Sequence, residues 1–158
     1  MKHVHRSVLL QYTPREMYDL VVAVPDYPKF LPWCEKAEVL ETRPDCMTAR
    51  LSMAFAGVRQ SFTTRNEHVP GERMVMRLVD GPFSHLEGDW KFIPLGPRPA
   101  PGAAVDAAAV RACKIDFSLA YAFSSKALEL VVSPVFDRVA NTLVDSFVKR
   151  AEQVYGPR

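Results

Sequence analysis

The residues MTARLSMAFAGVRQSFTTR (47–65) decide the fold class of this 158-residue chain. Apolar and polar side chains alternate along 47–55, and they alternate again along 58–65 after the pair Ala56-Gly57. A period of two places successive side chains on opposite faces of a strand, and glycine suits the turn between two strands. The stretch therefore predicts a β-hairpin with one apolar face and one polar face.

The same alternation continues on both sides of this hairpin. It predicts strands near 74–79, 85–95 and 111–123, and a further strand that starts near Lys36. A short apolar segment at 3–11 predicts one more strand at the amino end. Consecutive strands joined by short turns form an antiparallel meander with one face toward water. We therefore expect a curved antiparallel sheet of about seven strands.

Two segments predict helices. Thr13 is placed as an N-cap, Pro14 as the first helical residue, and Glu16 at the capping-box position. Near the carboxyl end, apolar residues recur at helical spacing. They are Leu128, Val131, Val132, Val135, Phe136, Val139, Leu143, Phe147, Ala151 and Val154. Ser133-Pro134 permits either a short separate helix or a kink in one element, and we expect one nearly continuous helix.

The order of these elements is that of an α+β fold. A curved sheet must bury its apolar face, and the last helix is the only element long enough to cover it. The space between such a sheet and such a helix is a natural site for an apolar ligand. We expect one domain over 1–158, with a Pro/Ala-rich loop insertion at 96–109 between two strands.

Composition excludes several classes of protein. The chain is 48% hydrophobic and 24% charged, which is ordinary for a globular domain, and no run reaches the length of a membrane span. A net charge of +2 is too small to indicate a DNA partner. Three cysteines without metal-ligand spacing indicate reduced thiols. We therefore expect a cytoplasmic protein without a metal site.

The segment YPKFLPWC (27–34) is unusual for a connection between a helix and a strand. It holds three aromatic side chains, two prolines and a thiol, where polar turn residues are the norm. Two prolines fix two φ angles and stiffen the segment. Such a rigid apolar corner either plugs the mouth of the core or frames the entrance to a pocket.

Five motifs in this order resemble a known family, and the resemblance covers nearly the whole chain. They are YPKFLPWC (27–34), FTTRN (62–66), LVDGPF (78–83), GDWKF (88–92) and VFDRVANTLVDSFVKRAEQVY (135–155). The chain resembles the coenzyme Q-binding and ribosome association toxin family of the START-like, polyketide cyclase superfamily. The resemblance implies a helix-grip fold and ubiquinone, or a similar polyisoprenoid lipid, as a bound ligand rather than a catalytic cofactor. The insertion at 96–109 departs from the tighter connection usual in that family.

The candidate ligand-binding residues are the apolar side chains expected at the corner, on the inner face of the sheet and on the facing side of the helix. They are Phe30, Trp33, Met53, Phe55, Phe62, Met74, Met76, Leu86, Trp90, Phe92, Val135, Val139 and Leu143. Methionine suits a surface that repacks around a bulky ligand, and a buried indole N–H needs an acceptor. We expect the isoprenoid tail between sheet and helix and the head group near the corner.

No set of residues predicts catalysis. The four histidines are not spaced with an acid or a nucleophile, and the GxSxG and HExxH motifs are absent. Few polar side chains are expected on the inner face; they are Gln60, Thr64 and His85. We expect a non-catalytic carrier that supports respiratory electron transport and contacts the inner membrane surface transiently. A cyclase-type enzyme is a less favoured alternative.

A second alternative follows from the basic residues and the resemblance together. Arg50, Arg59, Arg65 and Arg77 are expected on the outer face of the sheet, and Lys149 and Arg150 near the end of the last helix. A basic patch of this kind could contact ribosomal RNA. The resemblance implies that such a protein binds the large ribosomal subunit as the toxin of a toxin–antitoxin pair and blocks subunit association. Acidic residues are interspersed among these arginines, however, which favours a solvated face, because RNA sites usually add exposed stacking aromatics.

Overall fold

The computed structural model describes residues 1–96 and 111–158, which form one antiparallel sheet packed against a long helix. The strands are β1 (Lys2–Leu10), β2 (Cys34–Arg43), β3 (Cys46–Phe55), β4 (Val58–Val69), β5 (Arg73–Asp80), β6 (Phe83–Leu95) and β7 (Ala112–Phe123). Their order in the sheet is β1-β7-β6-β5-β4-β3-β2. The predicted helix-grip α+β fold is confirmed. Except for Gly96, the predicted insertion at 96–109 lies outside the described residues.

The helices are α1 (Pro14–Val22), a 3-10 helix (Val24–Lys29) and α2 (Lys126–Tyr155). Helix α1 starts with the predicted capping box, in which the Thr13 hydroxyl accepts from the Glu16 amide and the Glu16 carboxylate accepts from the Thr13 amide. Helix α2 runs through Pro134 without a break, so the continuous interpretation is confirmed. Within the described residues, no helix is long and apolar enough to cross a membrane.

The hairpin that decided the fold class closes as its sequence predicted. Phe55 pairs with Val58, which leaves Ala56 and Gly57 as a two-residue loop. Both loop residues have positive φ angles, 51° for Ala56 and 81° for Gly57, as a type I′ turn requires. This turn sets the register that puts Phe62 opposite Leu51 on the inner face of the sheet.

The buried face of α2 differs from the prediction at four positions. Val131 and Val154 are 60% and 46% exposed, whereas Ala140 and Val144, which were not predicted, are buried. The curved sheet grips a stripe centred on Phe136, and each further residue along a helix turns by about 100° from its predecessor. Val131 therefore lies at the side of this stripe and faces solvent.

Candidate functional site

An apolar cavity of about 60 Å³ lies between the inner face of the sheet and helix α2. Seven of the predicted ligand-binding residues line it. They are Trp33, Phe62, Met76, Leu86, Trp90, Val139 and Leu143. The fold therefore brings the corner, three central strands and the middle of α2 to one apolar space.

The prediction missed several residues of the cavity wall. They are Tyr27, Leu51, Thr64, Phe117, Leu119, Phe136, Ala140 and Phe147. The signal for most of them was present in the sequence, because Phe117 and Leu119 alternate on β7 and Phe136 and Phe147 keep the helical period of α2. What the sequence could not supply is which of the inward-facing side chains border the cavity and which pack behind its wall.

An open groove of about 390 Å³ lies beside the cavity, at the outer edge of α2. Its lining comprises Pro32, Trp33, Phe55, Val135, Arg138, Val139, Thr142, Ser146 and Lys149. The predicted residues Phe55 and Val135 thus line the groove rather than the cavity. Trp33 and Val139 line both spaces and form the partition between them.

Four predicted residues line neither space. Met53, Met74 and Phe92 are buried in the core, where the Phe92 ring packs edge-on against Tyr18 at a centroid distance of 5.8 Å. Phe30 packs against the ring of Phe147, 5.2 Å between centroids. These side chains support the cavity wall from behind. Their contact with a ligand stays a prediction.

One side of the cavity is a packed group of aromatic rings. The Trp90 ring centroid lies 4.4 Å from that of Phe117 and 5.3 Å from that of Phe147. The wall also includes Met76, whose methyl group lies over Gly88 on the neighbouring strand β6, so closely that a Cβ at Gly88 would collide with it. Packed rings together with flexible side chains such as Met76 allow the space to change shape.

The polar groups of the cavity wall are few. The Thr64 hydroxyl donates to Asn66 Oδ1 at 2.8 Å, and the Tyr27 hydroxyl donates to the Val21 carbonyl. Trp33 Nε1, in contrast, is buried and has no hydrogen-bond partner within the described part of the chain. A buried donor without an acceptor costs about 1–3 kcal/mol. Trp33, a residue of the partition between cavity and groove, therefore carries a hydrogen-bond donor that no described residue uses.

Groups that titrate near neutral pH are missing from the described cavity wall. Burial raises the pKa of Tyr27, which stays protonated, and no carboxyl or imidazole group lines the space. Burial also raises the pKa of the Cys34 thiol to about 11, so this thiol beside Trp33 is not a thiolate at neutral pH. Across residues 1–96 and 111–158, no cluster of His, Cys, Asp or Glu is arranged to hold a metal ion. The wall offers apolar contact and one N–H donor.

The corner at 27–34 combines the two predicted roles. Its first residues belong to the 3-10 helix, and the Leu31 amide donates to the Tyr27 carbonyl at 2.9 Å, which fixes the turn. Tyr27 and Leu31 are buried and close the end of the core. Trp33, two residues further, frames the cavity and the groove. The segment therefore both plugs the core and frames the pocket.

The outer face of the sheet is a solvated face of paired charges. Guanidinium–carboxylate pairs join Arg50 to Glu38 at 3.3 Å and Arg77 to Glu67 at 2.8 Å, and a further pair joins Arg59 to Glu35 at 3.6 Å. The Arg65 Nε donates to Cys46 Sγ at 3.2 Å. These pairings agree with the interpretation that the sequence favoured for this face.

Comparison with known proteins places the chain in a family. Residues 10–148 match the family described as polyketide cyclase / dehydrase and lipid transport. The ribosome association toxin RatA of Pseudomonas aeruginosa is 41% identical over 98% of this chain and 98% of that protein. The mitochondrial coenzyme Q-binding protein COQ10 homolog B of Xenopus laevis is 30% identical over 95% of this chain and 58% of that protein.

A solved structure shows the same fold with low identity. The Zhui aromatase/cyclase from Streptomyces sp. R1128 superposes with a TM-score of 0.71 over 96% of this chain and 94% of that chain, at 19% identity. This likeness shows the architecture of a sheet wrapped around a helix. The chain therefore belongs to the polyketide cyclase / dehydrase and lipid transport family.

Proposed function

We propose that the protein is a non-catalytic carrier of a polyisoprenoid quinone, most simply ubiquinone, that works at the surface of the cytoplasmic membrane. The observation that carries this proposal is the buried Trp33 Nε1, which lacks an acceptor at the boundary between an apolar cavity and an open groove. A quinone carbonyl supplies such an acceptor, and the isoprenoid tail matches the apolar wall.

Binding of a quinone ring requires the cavity to enlarge. A benzene-sized ligand occupies a cavity of about 150 Å³ in an engineered protein, and the space here is about 60 Å³. The groove of about 390 Å³ lies directly behind Trp33 and Val139. A shift of these two side chains joins the two spaces, and Met76 and Leu143 can repack around the ring. The ligand therefore enters through the partition.

Two further observations support a carrier rather than an enzyme. The described cavity wall has no group that could act as a general acid or base near neutral pH, which cyclase chemistry on this scaffold would need. A relative that is 30% identical carries the name of a coenzyme Q-binding protein. Family likeness alone does not assign a ligand, so the proposal depends on the Trp33 donor.

The replacement Trp33→Phe tests the proposal, because it keeps an aromatic ring and removes the N–H. We expect the affinity for ubiquinone to fall about tenfold, the worth of one hydrogen bond to a buried donor. Affinity for squalene, an isoprenoid without a carbonyl, should change little. Quenching of the remaining Trp90 fluorescence reports the ubiquinone titration, and recovery of that fluorescence when squalene displaces ubiquinone reports the squalene affinity. Equal losses for the two ligands would show that Trp33 acts only by packing.

Organic extraction of the purified protein followed by mass spectrometry provides the direct measurement. We expect a quinone in the wild-type extract and its loss in the Trp33→Ala, Phe62→Ala double variant, whose side chains line the cavity. A wild-type protein that neither carries quinone nor takes up added ubiquinone contradicts the carrier proposal.

A second candidate function is association with the large ribosomal subunit, as the toxin of a toxin–antitoxin pair that blocks subunit joining. The observation that favours it is the 41% identity to a ribosome association toxin over nearly the whole of both chains. Sedimentation with purified large subunits at increasing salt tests it, because binding to RNA weakens steeply as salt is added. Absence of co-sedimentation at low salt would eliminate this candidate.

A further inference from the structure

One face of α2 is directed into the groove, and most of its side chains lie outside the core. Val131, Val135, Arg138, Thr142 and Lys149 follow one another at intervals of three, four or seven residues, which places them along a single side of the helix. All but Val131 line the groove. Val131 continues the same line toward the amino end of α2, so this groove face extends over about 27 Å of helix.

The lining of the groove carries positive charge, and Asp145, a carboxylate at the same helical spacing, is paired with Arg6 at 3.2 Å. Arg138 and Lys149 have no ion-pair partner within the described part of the chain, in contrast to the arginines of the outer sheet face. No described residue that lines the groove is acidic. The Arg138 guanidinium lies 5.6 Å from the centroid of the Phe55 ring, which holds it at the rim.

Two exposed apolar side chains lie at the amino end of α2, before these cations in the chain. Val131 is 60% exposed and its neighbour Leu130 is 74% exposed, although both are large aliphatic residues. Exposed aliphatic side chains on the same helix as unpaired cations are a combination found on helices that lie at a membrane surface. An RNA site would instead offer exposed stacking rings, but Trp33 is buried and Arg138 covers Phe55.

We propose that the groove face docks on a bilayer that contains anionic phospholipid. Arg138 and Lys149 contact lipid phosphates, and Val131 with Leu130 enters the boundary between head groups and acyl chains. This inference rests on the proposed function, because a quinone dissolved in a membrane must reach the cavity through the partition that Trp33 and Val139 form beneath the groove. Docking thereby places the entrance of the cavity against the lipid.

Vesicle flotation without quinone tests docking by itself. The wild-type protein should float with phosphatidylcholine vesicles that contain phosphatidylglycerol and only weakly with phosphatidylcholine alone. The double variant Arg138→Gln, Lys149→Gln should bind the anionic vesicles about thirtyfold more weakly, the effect of two cations at a charged surface. The matched control Arg50→Gln, Lys91→Gln removes the same charge from the outer sheet face and should bind within about twofold of wild type.

A second pair of variants tests the apolar contact. Val131→Ser should weaken binding to the anionic vesicles about fivefold to tenfold, because aliphatic groups leave the interface. The control Val69→Ser changes an exposed valine at the carboxyl end of β4, outside the groove face, and should have no effect. Wild-type protein that fails to float, or control variants that lose as much binding as the groove variants, would overturn the proposal. Full competition by inorganic phosphate would show an anion site without bilayer docking, which also overturns it.

Uptake of ubiquinone from detergent micelles, measured on the same variants, separates the two proposals. Normal uptake by a protein that does not float removes the docking proposal and leaves the carrier function intact. Flotation by a protein that takes up no ubiquinone supports docking and removes the carrier function.

Discussion

The cavity and the groove lie on opposite sides of the same two residues, Trp33 and Val139, yet they differ in almost every physical property. The cavity is small, apolar and rich in aromatic rings, several of which pack against one another. The groove is about six times larger, open, and lined on one side by cations and hydroxyl groups. Helix α2 contributes to both, so the difference arises from which side of the helix meets the sheet.

This comparison shows how one amphipathic helix can serve two purposes. The side that meets the sheet is selected for volume and shape, because protein interiors are close-packed and a lost methylene is felt. The side that meets the groove is free of that constraint and can carry charge at little cost to stability. Substitutions on the sheet side should therefore change stability and the shape of the cavity, whereas substitutions on the groove side should leave stability nearly unchanged.

The largest effect is expected for Trp90→Ala on the cavity side. Trp90 is 1% exposed and packs against Phe117 and Phe147, so the truncation removes a large buried ring and leaves a void. We expect a loss of about 3–5 kcal/mol in the free energy of unfolding. Urea denaturation followed by circular dichroism measures it. A loss below about 1 kcal/mol would show that the wall collapses around the gap and is not a fixed half of the cavity.

Gly88→Ala should reduce the cavity rather than enlarge it. An added Cβ at Gly88 collides with the terminal methyl group of Met76, which lines the cavity and must turn into it. We expect ubiquinone uptake to fall severalfold, with a stability change of about 1 kcal/mol because Met76 is flexible. Fluorescence titration and urea denaturation measure the two effects.

A double variant provides the control for this change. Met76→Ala in the Gly88→Ala background gives the Cβ room and should restore uptake toward the wild-type level. Non-additive effects of the two replacements are the expected signature of residues in contact. If the double variant binds as weakly as Gly88→Ala alone, Gly88 acts on the strand and not through Met76.

The sequence predicted the residues of the cavity better than those of the groove, for physical reasons. Alternation along strands and the 3.6-residue period of α2 predict which side chains are buried, so Phe62, Trp90 and Val139 were correctly directed inward. Burial does not distinguish a cavity wall from the core behind it, and Met53 and Met74 were predicted on the same grounds but lie away from the space. Whether a buried side chain borders the cavity or packs behind its wall depends on the packing across the sheet and on the rotation of α2 about its own axis.

The groove was beyond prediction because it depends on elements distant in the chain. It forms where the corner at 27–34, the end of β3 and the outer side of α2 meet. Arg138 and Lys149 have the same appearance in the sequence as any solvent-facing cation on a helix. Their lack of partners became visible only when the ion pairs of the described residues were known.

The stability of the protein at alkaline pH should show that the Cys34 thiol, next to Trp33 in the chain, is buried in the folded protein. Burial raises the pKa of its thiol to about 11 from an ordinary value of 9.0. Between these two values the unfolded chain releases the proton and the folded protein retains it, so stability falls as pH rises through this window. In Cys34→Ala this part of the decline should be absent, as measured by urea denaturation from pH 9 to pH 11.

Cys113 provides the internal reference for that experiment. Burial raises the pKa of Cys113 to about 12, so it contributes a similar decline that the Cys34 replacement leaves in place. The slope of stability against pH should therefore become smaller in the variant without reaching zero. An unchanged slope would mean that the Cys34 thiol is reached by water in the folded protein.

The smallest effect is expected for Thr142→Ala on the groove side. The Thr142 hydroxyl donates to the Arg138 carbonyl within α2 at 2.8 Å. This bond is exposed to solvent and does not take the place of a backbone hydrogen bond of the helix. Alanine has the higher helix propensity, so the two terms oppose each other and the free energy of unfolding should change by less than about 0.5 kcal/mol. Urea denaturation of Thr142→Ala and of Trp90→Ala under the same conditions compares the two changes in the free energy of unfolding directly. A loss above about 1 kcal/mol would show that the groove side of α2 is packed like the cavity side, and the distinction between the two regions would fail.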